Sequence, residues 1–509
     1  MKHFFVFFLF TLSSALAQPD KYHELALAGI AQGHNVQIDR AEETFNEMIA
    51  LEPGHPLGYL AQGLIYLYRY RFEENQPAFE KKFKDYTNQA IKLSKKNLSK
   101  QEKRVEALFY LGIANLFWGF YHSEQDNWVK AFWYGKQGLD DLNKVVAIDS
   151  SYYDAYLGLG MYHYYADFMA NFLLKTVSSV LGFDEGDRKK GLRELQLAAE
   201  KGVYTRTLAA FLLGDIYSNA EGEYEKALIC FNALAQQYPD NPFYLLYQAE
   251  ALQNTGNHSQ AIEMATRVVH EKNHHRNPRF GILSYFRLGS LCFELNQFDA
   301  ADAHYRQALA IASQSPGNMK WVAWANYLSG RCHEMLGKRE EAIGYYQKVK
   351  KSDEKHVYES AQQLVKQPPL PVDLELLRGR NYAKTKNHAK ALAVLEAARA
   401  KAVENTEDFP ERKIAEIQYC IAKTQYDAKA FADAVVEFKK IFAIKKIEAK
   451  WLEPMAHLHL GHCYMEMGEA QKAEAEYEIA SQYEDGALRF EIDKMRERQG
   501  GKLLEKSKS

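Results

Sequence analysis

Apolar and small residues recur along the chain at i, i+3 and i+4. Each such run is followed, after a short polar break, by a second of the same kind. Tyr285, Leu288 and Gly289 mark one run, and Ala301, Tyr305 and Ala308 mark the next. This spacing lines the apolar positions along one stripe of an α-helix. The same grammar reads Leu213–Gly214–x–x–Tyr217, then Ala227–x–x–x–Phe231–x–x–Leu234 and Pro239. It returns as Leu460–Gly461–x–x–Tyr464 with Ala473, Tyr477 and Ala480, and early as Leu25, Gly29, Ala41, Phe45, Met48 and Pro53. No stretch shows sustained strand alternation with hairpin turns, so the pattern predicts an all-α chain. Gly289 and Ala301 let two helix backbones approach, while Tyr285, Leu288 and Tyr305 fill the seam. One such pair cannot bury its apolar face alone, but stacked neighbours can.

Weaker copies fill the gaps, their first helices centring on Gly63, Gly112, Gly160, Gln248, Gly330, Gly379 and Ala422. Their second helices carry Gly191–x–x–x–Leu195–x–x–Ala198, Ala342–x–x–x–Tyr346–x–x–Val349, Ala391–x–x–x–Leu395–x–x–Ala398 and Ala434–x–x–x–Phe438–x–x–Ile441. These residues resemble the tetratricopeptide repeat, a helix–turn–helix unit of about 34 residues. The resemblance implies a right-handed superhelical α-solenoid of about eleven helix pairs whose first helices line a concave face. We expect long-helix pairs over 18–200, central repeats over 201–366 and C-terminal repeats over 367–484. A capping helix over 485–498 and a basic tail to Ser509 are expected to close the array.

The start of the chain breaks the pattern. Lys2 and His3 precede the apolar run from Phe4 to Leu12, and Ser13–Ser14–Ala15–Leu16–Ala17 ends in an A-x-A site. This is the secretory-signal arrangement over 1–17, and its apolar run is too short to span a bilayer. Gln18 follows in place of the cysteine that a lipid anchor needs. A secreted product is expected, periplasmic in a host with an outer membrane. Cys230, Cys292, Cys332, Cys420 and Cys463 are odd in number, far apart and inside expected helices, which favours small buried hydrophobes over a disulfide framework. With 64 Lys+Arg against 66 Asp+Glu, the chain carries no global field for nucleic acid or an anionic membrane.

The largest irregularity lies within the fourth pair, whose first helix is expected to end near Ala166. The insert 167–187 is apolar and aromatic but interrupted by Asp167, Asn171 and Lys175. It is too short and too polar to cross a membrane. Three readings stand: filler of the concave groove, additional core, or an exposed docking or membrane-surface hairpin. Phe172–Leu173–Leu174–Lys175, Leu181–Gly182–Phe183, Gly186–Asp187–Arg188 and Gly191–Leu192 are similar to the insert of the tetratricopeptide repeat protein 39 family. That resemblance implies a structural role for the insert and no activity. The secretory signal departs from that family.

On the expected first-helix face, Leu57, Leu60, Leu64, Leu67, Phe109, Ile113, Leu116, Leu157, Met161 and Tyr164 make the N-terminal half apolar. Trp118, Phe120, Tyr121, Trp128, Trp133 and Tyr156 crowd nearby, and Arg331, Arg380 and Lys423 turn the face basic further on. This predicts a groove with apolar anchors at one end and carboxylate pairing at the other. The competing reading places the aromatics in the inter-helix core and the cations on a solvated face. The Lys and Asn pattern with which some tetratricopeptide repeats clamp a C-terminal carboxylate is absent.

His270–Glu271–Lys272–Asn273–His274 reads H-E-x-x-H, the zinc-protease string. It falls at the end of an expected second helix, with polar Lys272 and Asn273, so a chance match is favoured. His459, His462 and Cys463 share a helix face, with His457 close by, but the repeat grammar already accounts for them as packing and groove positions. No phosphate loop, nucleophile elbow or dinucleotide fingerprint occurs. The sequence therefore points to a non-enzymatic adaptor of the cell envelope, without metal or cofactor, that binds a protein segment and no nucleic acid. The alternatives are a zinc hydrolase using His270, Glu271 and His274, and an envelope-assembly factor touching membrane through 167–187.

Overall fold

A computed structural model of the chain describes residues 21–72, 76–172, 187–270, 278–314, 318–404, 411–444, 449, 451–483, 492 and 495. The signal segment 1–17, insert residues 173–186 and Glu271 through Asn277 lie outside the described residues. The described elements are 23 α-helices and two 3-10 turns, with no strand among them. The chain divides into two compact units, Met1–Ala251 and Leu252–Ser509.

In unit 1 the helices pair as hairpins: Lys21–His34 with Ile38–Leu51, Pro56–Phe72 with Gln76–Asn97, and Arg104–Glu124 with Trp128–Ile148. Tyr156–Phe172 then pairs with Arg188–Lys201, and Arg206–Asn219 with Tyr224–Gln237. The helix expected to end near Ala166 instead runs on to Phe172, because its backbone bonds need no break where the side-chain pattern turns polar. In unit 2 the hairpins are Pro278–Glu294 with Phe298–Ala312, Met319–Met335 with Arg339–Tyr346, Pro371–Lys384 with His388–Glu404, Glu411–Asp427 with Phe431–Ile441, and Leu452–Glu466 with Ala470–Ser481. The single helix Lys355–Lys366 interrupts the alternation. Ile492 and Met495, in the segment expected to cap the array, are buried in the same core cluster as Ala473, Tyr477 and Ala480.

The pairing follows from one steric fit. Gly29 faces the ring of Phe45, Gly214 that of Phe231, and Gly289, Gly330 and Gly461 face Tyr305, Tyr346 and Tyr477. A Cβ on Gly214 would lie 2.8 Å from two Phe231 ring atoms, and the other four sites are tighter. Only a residue without a side chain lets the rings seat there. All five rings are buried.

The hairpin turns share a second device. Val36, Asp126, Gly222, Gly256, Asn296, Gly337, Lys386, Lys429 and Gly468 all have positive φ, at the same place between first and second helix. In eight of these turns the next residue's N–H donates to the carbonyl five residues back, as Asn257 does to Leu252 and Gln297 to Cys292. The turn at Gly222 is one residue longer, Glu223 donating to Tyr217. This left-handed closure satisfies carbonyls that a helix end leaves open. Val36 (φ 57°) is the most strained occupant, being β-branched. Val36→Gly is expected to change the stability of unit 1 by no more than about 1 kcal/mol, because relief of the strained φ is offset by the packing lost from this half-buried side chain and by the glycine's greater unfolded-state freedom. Hydrogen exchange resolved to unit 1 checks it, and a change of several kcal/mol in either direction would contradict it.

Each unit also joins repeats that are not sequence neighbours, which a one-dimensional stack would not require. In unit 1 the Tyr244 hydroxyl lies 2.7 Å from His34 Nδ1. Asn241 Nδ2 donates to the His34 carbonyl, and His23 pairs with Tyr204. In unit 2 Asn381 Nδ2 donates to the Phe293 carbonyl at 2.8 Å, and Lys386 Nζ to the Thr255 carbonyl at 2.7 Å.

Candidate partner-binding faces

The residue that follows the small position of each first helix forms a series. In unit 1 it runs Ile30, Leu64, Ile113, Met161, Asp215 after Gly29, Gly63, Gly112, Gly160 and Gly214, and Glu250 follows the buried Ala249. In unit 2 it runs Ser290, Arg331, Arg380, Lys423 and His462 after Gly289, Gly330, Gly379, Ala422 and Gly461, so the three cations stand together in the middle of the series. Successive helices thus present apolar, acidic and basic groups at one register.

The apolar members do not form an open groove wall. Leu60, Leu64, Phe109, Ile113, Leu157 and Tyr164 are all buried, as are Leu57 and Leu67, and Met161 is half-buried. The cause is visible in helix Arg104–Glu124, where Ala107 through Asn115 and Phe117 through Tyr121 are all buried. A helix covered on every face is core, and its apolar side chains are packing residues. Trp118, Phe120 and Tyr121 belong to the same core, Trp118 meeting the Tyr121 ring edge-on at 5.6 Å. Tyr156 is half-buried and donates to the Ser150 carbonyl at 3.0 Å. Trp128 and Trp133, on the second helix, stay exposed.

The basic members reach solvent. Arg331 is half-buried, its guanidinium 3.4 Å from the Tyr327 hydroxyl. Arg380 is exposed; its Nε donates to Cys420 Sγ at 3.2 Å and its terminal nitrogen lies 4.0 Å from Glu416. Lys423 pairs with Asp427 at 2.6 Å, both about one-third exposed. A pair this exposed is worth about 0–1 kcal/mol, so Asp427 holds Lys423 only weakly.

The acidic pair escaped the sequence reading. Asp215 is buried on helix Arg206–Asn219, and Glu250 on helix Pro242–Asn254 is half-buried. The signal was present in the step from Gly214 to Asp215, which repeats that from Gly330 to Arg331.

The candidate chemical motifs resolve as follows. His270 is the last residue of helix His258–His270, and Glu271 and His274 lie outside the described residues. His457 pairs with Glu476 at 2.6 Å. His459 donates from Nδ1 to the Met455 carbonyl at 2.8 Å, among the rings of Tyr419, Tyr426 and Phe438. Burial pushes its imidazole down to about 3, so the ring is neutral. His462 packs on Tyr426 and Tyr477. Among the described residues no three His, Cys, Asp or Glu side chains converge to hold a metal ion. All five cysteines are free, four buried and Cys230 half-buried. Burial pushes the Cys463 thiol up to about 12 and Cys230 up to about 11, far from nucleophilic poise. No described helix is long and apolar enough to cross a membrane.

Comparison with known proteins agrees with the helical grammar. Residues 208–241 and 282–355 match families described as tetratricopeptide repeat. No curated protein matches the chain. Among solved structures, a tetratricopeptide repeat protein from Parabacteroides merdae is 14% identical, with a TM-score of 0.25, over 57% of this chain and 98% of its own. The human IFIT1 dimer, solved with m7Gppp-AAAA, is 14% identical with a TM-score of 0.35 over 91% of this chain and 90% of its own. Yeast Tom70 is 12% identical with a TM-score of 0.32 over 92% and 91%. The chain carries tetratricopeptide repeats, matched as such over 208–241 and 282–355.

Proposed function

We propose that the chain is a non-enzymatic interaction scaffold of the cell envelope whose unit 2 holds an acidic segment of a protein partner. One observation carries this reading: Arg331, Arg380 and Lys423 occupy one register on successive first helices, and each reaches solvent. Cations repeated at a fixed register suit an extended segment that offers carboxylates in sequence, by charge-assisted hydrogen bonds. Most of the described residues lie in paired helices, which suits a scaffold. The envelope location rests on the signal arrangement ending at Ala17.

The test is anisotropy of a labelled oligoglutamate peptide titrated with residues 18–509. Arg331→Glu and Lys423→Glu are each expected to weaken binding roughly tenfold, as loss of one charge-assisted bond predicts. Equal affinity in the reversal variants would overturn the reading. Raising salt should weaken binding by wild type more than by either variant.

A second reading, contact with a lipid surface, is favoured by Trp128, Val129 and Trp133 at the start of helix Trp128–Ile148. They are 44%, 81% and 53% exposed. Tryptophan prefers the bilayer interface. Liposome flotation of wild type against a Val129→Ser, Trp133→Ser double variant tests it, and flotation unaffected by the substitutions excludes this surface.

A further inference from the structure

Four carboxylates are buried among the described residues of unit 1: Asp154, Glu194, Asp215 and Glu221. Three of them are fully engaged. Asp154 accepts from the backbone N–H groups of Val203, Tyr204 and Thr205 and from the Thr205 hydroxyl, at 2.7–3.3 Å. Glu194 meets His163 at 2.5 Å and Lys190 at 3.9 Å. Glu221 takes both Nε and the terminal nitrogen of Arg188 and the Tyr164 hydroxyl. Asp215 stands apart. Its Oδ1 accepts from Asn219 at 2.8 Å, and its Oδ2 is buried with no hydrogen-bond partner. Three positions along the same helix face, the Ser218 hydroxyl is also buried without a partner. Both residues are 6% exposed.

An unsatisfied buried carboxylate oxygen is costly, and native proteins rarely keep one without a reason. The neighbourhood makes the cost larger. Glu250 acts on Asp215 with like charge, and Asp215 in turn acts on the Tyr165 hydroxyl. Arg188, which acts on Tyr164, pairs with Glu221. Burial pushes the Asp215 carboxyl up to about 6, aided by Glu250, so at neutral pH it stays mostly ionised. The cluster has a route to solvent, because Asn219 is exposed and Glu250 half-buried.

We propose that Asp215, Ser218 and Glu250 form a binding site for a cationic group, an ammonium or guanidinium, carried by a partner. The Asp215 Oδ2 and Ser218 Oγ accept hydrogen bonds from the cation, and Glu250 supplies the second negative charge at the rim. The site deepens the scaffold reading by giving unit 1 a preference opposite in sign to that of unit 2. A protein segment and a free polyamine share this chemistry, and the arms of the test separate them.

The experiment titrates residues 18–509 with oligolysine, oligoarginine and spermidine at neutral pH, read by calorimetry. Asp215→Asn keeps size and the Asn219 contact while removing the charge. It is expected to weaken the bound cation roughly tenfold or more, and Glu250→Gln less. Glu225→Gln, an exposed carboxylate on the neighbouring second helix, should leave affinity unchanged. Peptides binding and spermidine failing identifies a segment, and the reverse identifies a small cation; either supports the site. No binding by any of the three probes, or Asp215→Asn binding as wild type does, overturns it. Oligoglutamate binding is measured on the same samples. Unchanged amide exchange in helix Arg206–Asn219 of Asp215→Asn reports an intact unit 1, and absence of oligoglutamate binding in wild type sinks the unit 2 reading without touching this one.

Discussion

Replacing Phe231 with alanine is expected to destabilise unit 1 by about 3–5 kcal/mol, the range for deleting a buried aromatic ring. The ring is fully buried, packs near Phe211 at 6.1 Å and Tyr247 at 5.3 Å, and covers Gly214. The size of the effect follows from its place: the ring forms the seam between first and second helix, and the backbone around it cannot collapse without losing the turn closed by Glu223. Gly214→Ala alone is also destabilising, since its Cβ would sit 2.8 Å from that ring. With Phe231 gone, the added methyl enters vacated space. The two substitutions should therefore be coupled by about 1 kcal/mol or more in a double-mutant cycle. Strict additivity would show that the glycine and the ring do not share one steric site. The readout is hydrogen exchange resolved to unit 1, because a chain of two compact units does not unfold as a single transition.

Acidification should weaken unit 1 through His34. The imidazole is fully buried, and burial pushes it from the ordinary 6.5 down to about 3. Burial raises the Tyr244 hydroxyl well above its ordinary range, so Tyr244 keeps its proton and donates it to the neutral His34 Nδ1. The sign is fixed by which state binds the proton. Below 6.5 the unfolded chain protonates at His34 while the native chain does not until near 3. Stability is whole above 6.5 and falls as the pH drops through that window. At about pH 5 the loss is about 2 kcal/mol. His459 does the same in unit 2, also held near 3 by burial. His34→Gln keeps an acceptor for Tyr244 and removes the titration. Amide exchange in helices Lys21–His34 and Pro242–Asn254 should then lose part of its acid dependence between neutral pH and about 5, the remainder coming from His55, which burial pushes down to about 4 beside Tyr22 of the first of these helices. An unchanged acid response in the variant would exclude His34 as its source.

The hairpins were legible in the sequence because steric fit dictates them. A glycine facing an aromatic ring on the paired helix leaves few substitutes, so Gly289 with Tyr305 and Gly461 with Tyr477 can be read directly from spacing. The turns were half legible: glycine marks four of the left-handed positions, while Val36, Asp126, Asn296, Lys386 and Lys429 hide the other five. The contacts of His34 with Tyr244 and of Lys386 with Thr255 join residues 210 and 131 apart, and no local pattern encodes them. The apolar face of Leu60, Leu64, Phe109 and Ile113 misled for a physical reason. A stripe of apolar residues has the same period whether it lines a groove or fills a core, and only burial separates the two. The cations at Arg331, Arg380 and Lys423 kept their exposure because charge resists burial. Asp215 was missed because a lone acid after Gly214 looks like any helical carboxylate until its missing partner is seen.

The central claim is that unit 2 binds its partner on the first-helix register that bears Arg331 and Lys423. Photo-crosslinking in the host cell tests it. A crosslinking residue placed at Arg331 or Lys423 should capture one discrete acidic partner band. The same residue at Val436, exposed on a second helix, should capture none. Equal capture from Val436, or none from the first-helix positions, would contradict the account.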